Sequence, residues 1–174
     1  MIYEVCADDK GITVLEEYID GKRLSEILSN DKTLDKKTAC KYAVQLCDAL
    51  TFLHSVGIIH RDIKPSNVII KEDDTAVLID LSIARFINEK ESDTQSLGTP
   101  GYAAPEQFGI SQSSKATDIY GLGVLLNMML TGSHPSVDLP KGRLKKIVEK
   151  ATSTQISKRY KDAEKMKNAL KNII

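Results

Sequence analysis

The chain has 174 residues, enough for one domain and for two only if both are small. Its 24 basic and 24 acidic side chains cancel to a formal net charge of zero, so no global field draws it toward nucleic acid or an acidic membrane. Hydrophobic residues make up 41%, enough apolar material for a core, which excludes a disordered chain.

Two strand-forming stretches come first, 2–5 with Ile2, Tyr3 and Val5, and 12–19 with Ile12, Val14, Tyr18 and Ile19. The turn-rich Asp8-Asp9-Lys10-Gly11 joins them, so the pair reads as a hairpin. After Asp20-Gly21 the pattern predicts a short helix over 23–29. A long helix follows over 35–56, where Ala39, Ala43, Leu46, Leu50 and Leu53 recur at helical spacing and Gly57 supplies the stop. Residues 57–80 turn to β texture, with Ile58-Ile59, Val68-Ile69-Ile70 and Val77-Leu78-Ile79 flanking a polar loop. Residues 86–116 are rich in Ser, Thr, Gly, Pro and Gln without periodicity, which predicts a surface segment of functional use. Thr117-Asp118 opens a nearly all-apolar helix to Leu130 that must be buried on most sides. Two amphipathic helices, 143–152 and 160–173, close the chain, the second with Tyr160, Ala163, Met166, Leu170 and Ile173 on one stripe. The fold class expected is mainly α, an α+β arrangement with a small amino-terminal hairpin.

The three cysteines, Cys6, Cys40 and Cys47, form no CxxC pair, so neither a disulfide framework nor a zinc site is expected and a reducing, cytoplasmic location fits. The start MIYEVCADDK lacks a basic segment followed by an apolar run. The most apolar window, 121–130, falls short of the roughly 20 residues of a bilayer span, so no membrane segment is expected in these residues.

The chemistry concentrates in His60-Arg61-Asp62-Ile63-Lys64-Pro65-Ser66-Asn67 and, thirteen residues later, Asp80-Leu81-Ser82. Phosphoryl transfer needs a carboxylate at the attacking hydroxyl, oxygen ligands for magnesium and positive charge on the phosphate, and this stretch offers all three. It resembles the catalytic loop of the eukaryotic-type protein kinases, whose HRD-x-x-x-x-N pattern it matches completely, and the later triplet resembles their metal-binding DFG motif. Gly98-Thr99-Pro100-Gly101-Tyr102-Ala103-Ala104-Pro105-Glu106 resembles the end of their activation segment, in wording most like bacterial members.

The resemblance implies a role for each matching position. Asp62 looks like the catalytic base, Asn67 and Asp80 like the magnesium ligands, and Lys64 like the lysine on the γ-phosphate that accompanies Ser/Thr specificity. Thr99 would sit in the substrate-docking loop and bond Asp62 and Lys64. Glu106 would be a buried carboxylate needing a cation, supplied by Arg159. Asp118 matches the aspartate that braces the catalytic loop. Arg61 and Arg85 would form a basic pocket for a phosphate on Ser92, Thr94 or Ser96. Glu16-Glu17-Tyr18-Ile19-Asp20-Gly21 resembles the hinge, with the Glu17 carbonyl and Ile19 amide on adenine, Ile69 as the apolar floor and Glu16 at the gatekeeper position. The implied cofactors are ATP and Mg2+, and the implied partner is a protein with a Ser or Thr hydroxyl.

By that resemblance, residues 1–19 are a residual amino-terminal-lobe hairpin with the hinge. Residues 20–174 are the carboxy-terminal lobe of a kinase, with catalytic loop 60–67 and activation segment 80–106. No G-x-G-x-x-G, strand lysine or partner glutamate is found, so the expectation is that this chain is inactive by itself. The hairpin would then expose an edge and apolar residues and self-associate or bind a partner there. Leu81 in place of Phe is expected to fill the same packing position, and Ser82 in place of Gly to cost backbone freedom. His60 is expected to be a packed support of the metal motif, and His54 and His134 ordinary helix-end and loop residues. The run Lys141–Lys146 reads as a solvated helix start. A truncated or degenerate lobe serving as a scaffold is the alternative function. A small-molecule phosphotransferase is a third, disfavoured by Lys64 and the peptide-docking segment.

Overall fold

A computed structural model of the chain describes residues 2–8, 11–87, 98–108 and 112–173. Its helical body is built on α2 (Lys36–Ser55), which starts where the Asp35 carboxylate accepts the amides of Lys37 and Thr38 at 2.9 and 3.1 Å. The stripe Ala39, Ala43, Leu46 and Leu50 is fully buried, as its spacing predicts. Against it pack α3 (Lys115–Thr131) and α5 (Ala163–Lys171), while α4 (Arg143–Ala151) lies on α3. With no polar face to offer water, α3 is buried along most of its length, and Leu122, Leu125, Leu126 and Met129 have no exposure. Burying each such side chain stabilises the fold by about 1.5–3 kcal/mol.

Short strands frame the loops that matter. After α1 (Leu24–Asp31), β4 (Ile58–Ile59) leads into the 60–67 loop and pairs antiparallel with β7 (Arg85–Phe86). Earlier in the chain β3 (Lys22–Arg23) joins β5 (Val68–Ile70) and β6 (Ala76–Leu78) in a sheet of order β3-β5-β6. The turn between β5 and β6 is tied to α2 through Asp74, whose carboxylate takes the Lys41 ammonium at 2.5 Å and the Tyr42 hydroxyl. Both ends of the 60–67 loop thus hang from rigid elements.

The amino-terminal hairpin is β1 (Ile2–Asp8) and β2 (Gly11–Glu16), with Val5 opposite Val14. It stands as a two-stranded sheet of its own, and Tyr3, Val5, Val14 and Leu15 are all exposed. The second strand stops at Glu16, opposite Ile2, rather than reaching residue 19. The last helix begins at Ala163, not 160, because the Asp162 carboxylate accepts the Lys165 amide at 2.8 Å and sets the start; Tyr160 packs from the preceding turn. The expected surface segment 86–116 is also corrected in part, since Ala104, Glu106 and Gln107 are buried. Among the described residues no helix is long and apolar enough to cross a membrane.

Candidate active site

The 60–67 loop takes its shape from one buried carboxylate. Asp118, 1% exposed in the first turn of α3, accepts the backbone amides of His60 at 3.0 Å and Arg61 at 2.8 Å. His54, near the end of α2, places Nε2 2.7 Å from the same carboxylate, so it is a buried partner of the brace and not an ordinary helix-end residue. Arg61 adopts a left-handed φ of 69°, a conformation that costs energy and is held here by the bonds on either side. One residue beyond Asp62, Ile63 packs on Gly121 of α3. A side chain at Gly121 would begin 3.0 Å from Ile63 Cβ, so glycine lets the helix support the loop this closely.

Within the loop the residues expected to act together do meet. Asp62 Oδ1 accepts the Thr99 hydroxyl at 2.8 Å, and Oδ2 lies 2.7 Å from the Lys64 ammonium and 2.9 Å from Asn67 Nδ2. Lys64 Nζ also donates to Thr99 Oγ1 at 2.8 Å, closing a triangle, and Asn67 Nδ2 donates to the Asp62 carbonyl at 2.9 Å. The carboxylate already holds one alcohol in hydrogen-bonding reach. It can orient a second and accept its proton, with a cation beside it for negative charge on the group transferred to that alcohol.

The two expected metal ligands differ in what they have free. Asn67 spends its amide N–H on Asp62, which leaves its carbonyl oxygen as a donor to a cation. Asp80 is exposed, and hydrogen bonding from Ser82, side chain first and then amide, holds its carboxyl below the usual carboxylate range. The Ser82 amide reaches Asp80 Oδ1 at 3.0 Å. One carboxylate and one carboxamide are hard oxygen donors of the kind Mg2+ takes alongside phosphate oxygens and water, so the residues fit that ion. His60 supports this end as expected, with Nε2 3.1 Å from the Ile79 carbonyl. Two expectations change here. The left-handed φ, 69°, falls on Asp80 and not on Ser82, so serine loses no needed freedom there. Leu81 is exposed on the cleft instead of packed.

Glu17, Ile19, Ile69 and Asp80 line one open cleft of about 620 Å3, with Val77 and Leu81 beside them. Its size lies within the 300–1,000 Å3 typical of small-molecule sites. Glu16 also borders it.

Behind the triangle, Glu106 and Arg159 form the buried pair anticipated, bidentate at 2.6 and 2.8 Å. Burial pushes the Glu106 carboxyl up, but the Arg159 hydrogen bonds and charge, with the Thr117 hydroxyl, outweigh it and leave the group below its usual range. Arg159 also donates to the carbonyls of Ala116 and Ser153 and lies 4.9 Å from the Tyr120 ring. Arg61 Nε donates to the Ile83 carbonyl at 2.6 Å, while Arg85 is half-buried in β7; Ser92, Thr94 and Ser96 lie outside the described residues. Gln107 is a residue that motif reading missed. It is buried, donates to the Arg61 carbonyl at 2.8 Å and accepts the Ala104 amide at 2.9 Å. Its only sequence signal is its place directly after Ala104-Pro105-Glu106.

Over residues 1–174 the chain matches the family described as protein kinase domain. A probable serine/threonine-protein kinase of Clostridium acetobutylicum is 36% identical over 136 residues, which are 77% of this chain and 21% of that protein. The serine/threonine-protein kinase PknB of Mycobacterium leprae is 36% identical over 127 residues, 71% of this chain and 20% of the relative. A probable PknB of Lactococcus lactis is 30% identical over 179 residues, 88% of this chain and 28% of the relative. The matched stretches thus span between 20% and 28% of these relatives' lengths.

Proposed function

This chain belongs to the protein kinase domain family, and from that premise we propose that it supplies the base, the metal ligands and the substrate-docking loop for phosphoryl transfer to Ser or Thr hydroxyls of proteins. The single observation that carries the reading is the triangle of Asp62, Lys64 and Thr99, with Asn67 on the same carboxylate. Asp62 holds the acceptor hydroxyl and takes its proton, and Lys64 meets the negative charge that develops on the transferred group. Asn67 and Asp80 hold Mg2+; Glu17 and Ile19 hold the adenine edge over Ile69. Mg-ATP, when bound, supplies the phosphoryl group and the metal's charge. Serine/threonine-protein kinases among the relatives support this reading over a scaffold. The exposed Tyr3, Val5, Val14 and Leu15 support self-association through the hairpin, which a rise in sedimentation coefficient with concentration would register.

The test compares two proteins in transfer of radiolabelled phosphate from Mg-ATP to dephosphorylated casein: the 174-residue chain, and the same chain fused behind the amino-terminal segment of the Clostridium acetobutylicum relative. The fusion is expected to transfer phosphate, the chain alone to fall far below it, and Asp62→Asn to cut transfer by the fusion about 10²–10⁴-fold. A fusion that melts cooperatively and binds Mg-ATP yet transfers nothing overturns the reading in favour of a scaffold.

A further inference from the structure

Gln107 sits where two segments from distant parts of the chain press together. It is 3% exposed, and both ends of its amide are committed: Nε2 to the Arg61 carbonyl at 2.8 Å and Oε1 from the Ala104 amide at 2.9 Å. The Arg61 bond spans 46 residues and lands on the carbonyl just before Asp62, at the one loop residue with a left-handed φ of 69°. The Ala104 bond anchors the stretch that begins at Gly98. A Cβ at Gly98 would lie 2.8 Å from Gln107 Nε2 and 2.8 Å from Ala103 Cβ, and its φ of 130° is one that side chains rarely adopt. Thr99 follows directly, with its hydroxyl 2.8 Å from Asp62 Oδ1. The carboxamide therefore fills the gap between the two backbones that carry Asp62 and Thr99, and glycine at 98 lets them close on it.

We propose that Gln107 is a positioning residue for phosphoryl transfer: by bridging the Arg61 carbonyl and the Ala104 amide it holds the Thr99-bearing loop in register with Asp62. The inference rests on the phosphoryl-transfer reading given above for the catalytic role of Asp62. The bridge needs a donor and an acceptor on one short side chain. A carboxylate would keep the acceptor for Ala104 and set a charge against the Arg61 carbonyl, and an apolar side chain of equal length would keep the packing and lose both bonds.

The experiment has two arms. In the fusion described above, Gln107→Met is expected to lower kcat about 100-fold with the KM for ATP unchanged, the cost of misplacing reacting groups. In the 174-residue chain without nucleotide, the same variant is expected to speed amide hydrogen exchange in both 60–64 and 98–104 and to leave α2 untouched. Gln107→Glu should follow it in 60–64 while keeping the Ala104 amide protected. Gly98→Ala should reproduce the Gln107→Met defect and add little to it in the double variant. A Gln107→Met protein that melts lower but keeps its kcat, or whose exchange in 60–64 is unchanged, overturns the proposal. An inactive fusion would count against the phosphoryl-transfer reading, while the exchange arm still decides whether Gln107 couples the two loops.

Discussion

The loop around Asp62 and the hairpin before residue 17 hold themselves by opposite means. Around Asp62 the polar contacts come from within the helical body: Asp118 under the loop amides, Asn67 and Lys64 on the carboxylate, Gln107 on the Arg61 carbonyl. The described hairpin strands pair with each other in a two-stranded sheet, with Tyr3 at 61% and Val5 at 59% exposure, and a two-stranded sheet is marginal in water. The contrast teaches that the arrangement around Asp62 is prebuilt in the helical body, whereas the hairpin leaves Tyr3, Val5, Val14 and Leu15 to solvent.

The sharpest way to break that comparison is at its centre. Asp62→Asn keeps the size and removes the proposed base, so phosphate transfer by the fusion should fall by about 10²–10⁴-fold while the melting temperature barely moves. Equal losses of activity and stability would mean that the loop is a structural brace and no more. Next comes Arg159→Ala, which strands Glu106 as a buried, uncompensated charge and should cost about 3–5 kcal/mol in urea unfolding.

The same pair fixes a pH dependence. Because the folded-state pKa of Glu106 is depressed, its contribution is fully present above its unfolded value of about 4.3 and is lost as pH falls through the lower folded value. Glu106→Gln, less stable at neutral pH, should therefore lose stability less steeply than the parent on acidification below that point, as followed by circular dichroism. At the small end, Val5→Ser with Val14→Ser should change the unfolding free energy of the helical body by less than about 0.5 kcal/mol, since both side chains are exposed. A larger change would show that the hairpin supports the body after all.

What could be read from the sequence follows the range of the contacts. Asp62, Lys64 and Asn67 lie within five residues of one another, so a local pattern announced their meeting. The all-apolar run after Asp118 announced a buried helix, and the stripe of α2 its packed face. The family resemblance made Glu106 a buried carboxylate and placed Arg159 as its cation, so that pair was legible across 53 residues. His54 and Gln107 had no such signal. Their partners are 64 and 46 residues away, and a single histidine or glutamine leaves no periodicity to detect. Helix starts shifted for a similar reason: Asp162 captures an amide three residues on, a choice that hydrophobic spacing does not register.

Asp118 also imposes a timetable on synthesis. The amides of His60 and Arg61 wait for a carboxylate 58 and 57 residues further along, so the loop carrying Asp62 lacks its brace while the intervening chain is still being made. At elongation rates of about 5–20 residues per second that interval is roughly 3 to 11 seconds. The nascent protein therefore passes through a stage in which α2 is complete and the Asp62 loop is still unshaped, and the loop takes its final form only once the first turn of α3 has arrived.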